Sequence, residues 1–456
     1  MVSHTYISRL RLVNFRLYKK AELELHPRLC LFMGDNGAGK SSILDAVSLA
    51  VSRIFPLCHY APALTGLPYQ LGNVTCGIEE FRGRSRLKYA EISGVDCTLR
   101  EREKEWHLIA SYNAKALPGF SASQQKDVAL LYNQSVDEGS GIPVFAYYGP
   151  HRGAKQGDRK RFGRRRVDFT NPFAAYINAL QPGLDFDAFL DWFSEQEYAE
   201  LRLRQRDACF VSRELQAVRE AIERVFSCSG FKCRDPRFEP NPKRFVMTCE
   251  TSGRAPMELG FDQLSDGYRG MIALVADFAR RLVVANPCGS ENPLDGRGIL
   301  LIDEVDAHLH PKWQYRVLSD LSRTFPNVQM IVTTHSAEVA SMVDKSSIYL
   351  LEAQDGILCE IHPEQQTQGN YPEEIAATVM NAPCKVDSVP AYQDYMDCLA
   401  AIQHDRVDEE DAFRQAFARV VQHYGENHDF VRELRARLEG LKKRKALMAG
   451  LRGKRS

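Results

Sequence analysis

Long apolar runs are missing from this sequence of 456 residues, and no window of 18 or more is apolar throughout, which excludes an α-helical membrane span. Met1–Arg11 lacks the basic-then-apolar layout of a secretory signal peptide. Cys-x-x-Cys pairs are absent: the 12 cysteines are scattered from Cys30 to Cys398, and Cys228 and Cys233 have no His/Cys pair nearby to complete a zinc site. Reduced thiols and a cytoplasmic location are therefore expected. An excess of one charge is lacking too. Lys+Arg and Asp+Glu both total 59, with a pI near 7.2. That excludes a uniformly basic DNA-coating protein and leaves room for a local basic stripe. Neither internal repeats nor long low-complexity tracts interrupt the chain. Hydrophobic residues make up 44%, enough for a sizeable core, and the length suits two or three domains or one large α/β domain with insertions.

What is present begins with strands. Ile7–Leu12 and Ala21–Leu25 alternate, and Leu29–Met33 is an apolar run of the kind buried on both faces. Helical spacing follows from Ile43 to Ala50. Leu87–Ser93, Cys97–Arg102 and Trp106–Tyr112 predict an antiparallel meander, and Ile142–Tyr148 another strand. Phe186–Phe226 predicts one or two helices, Phe245–Glu250 a strand and Met271–Val284 an apolar helix. Gly298–Asp303 and Val328–Thr334 read as buried strands, and Ser347–Glu352 with Ile357–Ile361 as a hairpin. From Tyr371 onward the pattern is helical and charged.

Gly34-Asp35-Asn36-Gly37-Ala38-Gly39-Lys40-Ser41-Ser42 lies between a buried strand and a helix. There a glycine-rich loop turns successive N–H groups toward phosphate oxygens, and the helix start adds partial positive charge. Lys40 offers a full charge to the β and γ phosphates, and the Ser41 hydroxyl a ligand for Mg²⁺. In Gly298–Glu304, four apolar residues end in two carboxylates: Asp303 suits the metal shell, and Glu304 suits orienting or deprotonating an attacking water. Ser265 and Gly267 precede the helix at Met271, where hydroxyl and amides can meet phosphate or simply cap the helix. His335 ends a further buried strand, where a lone histidine is usually structural and, beside a nucleotide, would contact the γ-phosphate.

In this order and spacing, the four segments resemble the ABC-type ATPases. Asn14-Phe15-Arg16 and the glycine-rich loop resemble the branch containing RecF, SMC and OLD proteins, as does Asp303-Glu304-Val305-Asp306-Ala307-His308-Leu309-His310-Pro311. Pro143–Gly149, Asp191–Glu197 and Leu215–Ile222 are similar to AAA-type ATP-binding proteins of bacterial defence modules, such as the Septu ATPase subunit PtuA. The resemblance implies an α/β fold: an ABC-type P-loop ATPase head with an antiparallel β subdomain, a helical insertion and a helical C-terminal region. The expected divisions are 1–55, 56–150, 151–240, 241–365 and 366–456. It implies ATP and Mg²⁺, held by Gly34, Asn36, Gly37, Ala38, Gly39, Lys40, Ser41, Ser42 and Asp303, with Ser41 and Asp303 on the metal. Glu304 and His335 would be catalytic. Ser265 and Gly267 would complete the site of a second copy in an ATP-dependent head-to-head dimer or higher homo-oligomer, and Asp306 would face that interface. Against the family's Leu-Ser-Gly-Gly-Gln, this chain has Asp266 in place of the first glycine of that motif and Tyr268-Arg269 after the second. Gln70 is the candidate for the glutamine that follows the phosphate loop.

Arg152–Arg166 holds eight basic residues and one acid, Asp158, and suits either nucleic-acid phosphates or an acidic protein partner. His308 and His310 lack a third metal ligand nearby. No Asp-x-Asp on a strand and no His-Asn-His pattern follows His335, so no nuclease is expected within the chain. The function expected is an ATPase that regulates a separate effector, a nuclease of an anti-phage system. Its rivals are a RecF-like repair or chromosome-associated ATPase and a nucleotide-held scaffold with little turnover.

Overall fold

The computed structural model describes the chain apart from residues 1–4, 61–63, 82–83, 113–119, 153–166, 184–185, 227–230, 241–242, 252, 288–291, 355, 381–388, 404–409 and 453–456. It divides into two units, Met1–Met380 and Asn381–Ser456.

In the first unit, β1 (Tyr6–Phe15) and β2 (Tyr18–Glu24) form an antiparallel hairpin, and β3 (Leu29–Met33) runs into α1 (Lys40–Val51). The chain then forms β4 (Cys76–Phe81), β5 (Arg84–Tyr89), β6 (Ser93–Glu101), β7 (Lys104–Tyr112) and α2 (Gln125–Asp137). After β8 (Val144–Tyr148) come α3 (Phe186–Arg204), α4 (Arg213–Phe226), β9 (Phe231–Pro240), β10 (Lys243–Thr251), β11 (Met257–Gly260) and α5 (Asp266–Ala285). The unit closes with β12 (Gly298–Ile302), α6 (Pro311–Gln314), α7 (Val317–Thr324), β13 (Val328–Thr333), α8 (Ala337–Ala340), β14 (Ile348–Gln354), β15 (Ile357–Ile361) and α9 (Pro372–Thr378).

Among the described residues, ten strands make one mixed sheet in the order β7-β6-β1-β2-β15-β14-β3-β13-β12-β8. Its β14-β3-β13-β12-β8 half is parallel throughout. β3, β8 and β12 are apolar without alternation, and β13 buries every residue, Gln329 included, because helices and loops cover both faces. β6 and β7 join the same sheet through β1, so the antiparallel strands continue the head. A separate antiparallel sheet, β11-β10-β9, lies before α5.

β1 buries Ile7, Leu10 and Leu12, whereas simple alternation predicts one phase along the strand. A register shift between Ile7 and Arg9 against β6 reverses the phase, as a bulge does. Helix α2 was not expected from the sequence. Two of its inward residues, Asn133 and Ser135, are polar: Asn133 accepts from the His59 N–H at 2.9 Å and donates to the Leu57 carbonyl at 3.2 Å.

Helix α5 is almost entirely buried, charges included. Asp277 takes Arg280 (Nη2, 2.6 Å), Arg281 (Nε, 2.8 Å) and the Tyr148 hydroxyl (2.7 Å). Arg281 also donates to the Ala175 and Ile177 carbonyls at 2.6 and 2.9 Å, pinning the Pro172–Tyr176 turn. Burial works against the Asp277 charge, but the two guanidinium groups outweigh it and hold the carboxyl at about 2.

The second unit contains α10 (Pro390–Gln403), α11 (Glu410–Tyr424) and α12 (Asp429–Arg452) around its own core of Tyr392, Tyr395, Cys398, Ile402, Val420, Val431 and Leu434. Among the described residues, no helix of the chain is long and apolar enough to cross a membrane.

Candidate functional site

Register alone gathers the candidate residues. Val332 of β13 pairs with Leu31 of β3 on one side and Ile302 of β12 on the other, and Ile302 pairs with Tyr148 of β8. Four parallel strands therefore end at one level. The glycine-rich loop, Asp303-Glu304, His335 and Gly149–Arg152 leave the sheet side by side, at the carboxyl edge where open α/β sheets take ligands.

The Gly34–Ser42 loop is fixed from below. Gly39 caps α1 in the left-handed region, φ +92°, and a Cβ there would lie 2.3 Å from the Tyr18 Oη. Tyr18 is buried, and its hydroxyl donates to the Ala38 carbonyl at 2.8 Å. Lys40 is buried as well, and its Nζ donates to the carbonyls of Gly34 (2.8 Å) and Asp35 (3.0 Å). Burial pulls the Lys40 pKa down, while Asp303, Glu304, Asp35 and Asp306 push it back. The cation thus faces the acids of β12 across the intervening strand. Ser41 is exposed on the first turn of α1, and Ser42 is buried beneath it.

Asp303 is buried, and Thr333 of β13 organises it. The Thr333 hydroxyl donates to Asp303 Oδ1 at 2.6 Å and accepts the Glu304 N–H at 2.8 Å. Asp303 Oδ2 has no hydrogen-bond partner among the described residues. A buried carboxylate with one oxygen fixed and one open, at the strand-end level from which the helix bearing the exposed Ser41 hydroxyl also leaves, fits a hydrated Mg²⁺. Glu304 sits at φ +49°, a strained conformation for a residue with a side chain. Asp306 accepts from the Thr334 hydroxyl at 2.5 Å, and half-buried His335 follows. On α1, Asp45 pairs with Arg16 and accepts a hydrogen bond from Tyr147. Its burial raises the carboxyl pKa, and these two partners oppose the rise.

Ser265 is the exposed N-cap of α5, and its side chain does not cap the helix. Gly267 is buried against the loop that follows Asp303: a Cβ at 267 would lie 2.3 Å from the His308 carbonyl. Tyr268 stacks on Phe231, with ring centroids 4.1 Å apart, and meets Trp313 edge-on at 5.1 Å. The Ser265–Tyr268 turn and the loop carrying the acids are therefore in direct contact.

Arg152 does not fill the phosphate-contacting role expected of the basic run. It is buried and donates to four main-chain carbonyls around Asp303 and Glu304. Arg159, Arg164, Arg165, Arg166 and the rest of that run lie outside the described residues. Gln70 is exposed and begins the Leu71–Asn73 turn, where its N–H donates to Asn73. The segment emerging beside Asp303 is instead Gly149–Arg152, which contains no glutamine. His310 caps α6, its Nδ1 accepting the Lys312 N–H at 3.3 Å, and no group of three or more metal-ligating side chains occurs among the described residues. Nothing in the sequence marks the roles of Tyr18 and Thr333, whose types are common and whose partners come from distant chain segments.

Residues 134–341 match the family described as an AAA domain, putative AbiEii toxin, Type IV TA system, and residues 9–56 match a second family described as an AAA domain. The chain is thus similar to AAA domains over two stretches, which hold the glycine-rich loop and the Asp303-Glu304 pair. Its relatives include the retron Ec83 probable ATPase of Escherichia coli, 28% identical over 71% of this chain and 66% of that protein. Another is the Septu protein PtuA of Bacillus mycoides, 40% identical over 77% of this chain and 41% of the relative. The chain thus spans about two thirds of one relative's length and well under half of the other's. Among solved structures, the SMC head domain from Thermotoga maritima aligns with a TM-score of 0.44 and 16% identity, over 79% of this chain and all of that one.

Proposed function

We propose that this chain binds ATP with Mg²⁺ on the Gly34–Ser42 loop, hydrolyses it, and uses nucleotide occupancy to join two copies and govern a separate effector, a nuclease of an anti-phage system. The observation that carries the reading is that the strands leading into the Lys40 loop and into Asp303-Glu304 end at one level. Lys40, unfavourably buried as a cation, gains a counter-charge when a triphosphate lies in the loop. Backbone N–H groups of Gly37, Gly39 and Lys40 bind phosphate oxygens, and the α1 terminus adds its dipole. Ser41 and Asp303 hold the metal, which neutralises charge on the β and γ phosphates. Glu304 orients the attacking water and accepts its proton, and His335 contacts the γ-phosphate. Exposed Ser265 with Gly267 serves the nucleotide of a second copy. The retron and Septu relatives support the defence setting.

Two substitutions test the reading. Lys40→Ala is expected to weaken ATP binding at least 100-fold in calorimetry. Glu304→Gln is expected to bind ATP normally and accumulate as an ATP-dependent dimer in light scattering, since binding restricted to the dimer stabilises it. Tight binding by Lys40→Ala would sink the site assignment, and a monomeric Glu304→Gln protein in ATP would sink the pairing.

A further inference from the structure

Arg152 leaves the end of β8 and turns into the body of the head, where its side chain is 3% exposed. Its Nη1 donates to the carbonyls of Gly149 (3.2 Å) and Asp303 (2.9 Å), and its Nη2 to those of Glu304 (2.8 Å) and Val305 (3.0 Å). Three consecutive carbonyls aimed at one point repel one another unless a multi-donor cation stands there, and the planar guanidinium fork suits that task. Burial lowers its pKa to about 10, and Asp306, Asp303 and Glu304 oppose the fall, so it stays charged at neutral pH. The middle carbonyl of the three belongs to Glu304, whose left-handed backbone costs about 1–2 kcal/mol in a residue with a Cβ. Such a conformation persists where surroundings over-determine it. Here the Glu304 peptides are held at both ends, by Thr333 on the N–H and by Arg152 on the carbonyl.

We propose that Arg152 is a positioning residue for hydrolysis, which fixes the Glu304 backbone so that its carboxylate meets the water facing the γ-phosphate. Arg152 touches no nucleotide itself. The inference rests on the ATPase reading above and adds a residue that the motifs do not contain. Removing it frees Glu304 to relax into an ordinary conformation and swing its carboxylate away, while the Lys40 loop keeps its shape.

The experiment uses the full chain as wild type, Arg152→Ala, Arg152→Lys and Lys40→Ala. Steady-state hydrolysis, binding of a fluorescent ATP analogue and thermal melting are measured on each. Arg152→Ala is expected to lower kcat about 100-fold, the scale of an ångström-level misplacement, with analogue Kd within about threefold of wild type. Arg152→Lys is expected to recover part of kcat, since one ammonium cannot reach all four carbonyls. An unchanged kcat in Arg152→Ala, or a fall in kcat matched by equal losses of binding and melting temperature, overturns the positioning role. Should Arg152→Ala not fold, Arg152→Lys decides: wild-type affinity with reduced kcat supports the proposal, and wild-type kcat overturns it. Failure of the underlying reading looks different, because wild type and Lys40→Ala would then be equally inactive and the inference would fall with it.

Discussion

At the residue scale, the charges that matter most are those hidden from water. Asp277 is fully buried between Arg280, Arg281 and the Tyr148 hydroxyl, and the whole cluster links α5 to β8 and the Pro172–Tyr176 turn. Removing one member of a buried ionic group leaves the others uncompensated, so Asp277→Ala is expected to cost about 3–5 kcal/mol in chemical denaturation. The folded carboxyl, at about 2, lies below the ordinary aspartate value near 3.9. Its stabilisation is therefore complete above the unfolded value and fades as pH falls through the folded one. From about pH 5 down to about pH 1 wild type is expected to lose roughly 2–3 kcal/mol from this group. The same titration on Asp277→Asn should lack that component, and an identical acid profile would contradict the assignment. Thr333 works without any charge, since one neutral hydroxyl serves both the Asp303 carboxylate and the Glu304 N–H.

At the element scale, the strands of the head are written in their own composition. Leu29–Met33 and Gly298–Ile302 are apolar without alternation, and Val328–Thr333 nearly so, because they are covered on both faces, and that makes them readable as the parallel core. The glycine-rich loop was legible for a related reason: its residues act through backbone conformation, which glycine spacing records. Less could be read where polar atoms face inward. Helix α2 hides Asn133 inside, and α5 hides Asp277, Arg280 and Arg281, so their partners emerge only once the chain is folded. Arg152 misled for the same reason, since a basic run looks solvated until one member is seen under the sheet edge. The start of α5 offers a direct test. Gly267 has no room for a Cβ against the His308 carbonyl, so Gly267→Ala forces the turn and the acid-bearing loop apart. It is expected to cost about 1–3 kcal/mol, as overpacking does, and to diminish ATP-dependent dimerisation of the Glu304→Gln background in light scattering. Unaltered melting would show that the two segments yield freely.

At the scale of the whole molecule, the basic run after Arg152 suits either nucleic-acid phosphates or an acidic protein partner by its sequence, and salt dependence separates the two. Replacing Arg164, Arg165 and Arg166 by Glu is expected to reduce the slope of log affinity for duplex DNA against log salt by about 3, near one for each phosphate left without its arginine. An unchanged slope in fluorescence anisotropy would assign the run to another role. The ten-stranded sheet, by joining β6 and β7 to the parallel half, makes the head one continuous plate from the Ser93–Tyr112 hairpin to β8. One junction on that plate bears on timing. Where Gly267 meets His308, the surface a copy would lend to its neighbour is bolted to the loop that would consume its own ATP. In a pair of such heads, neither could burn its fuel without disturbing the grip on the other's, so the two turnovers would keep step.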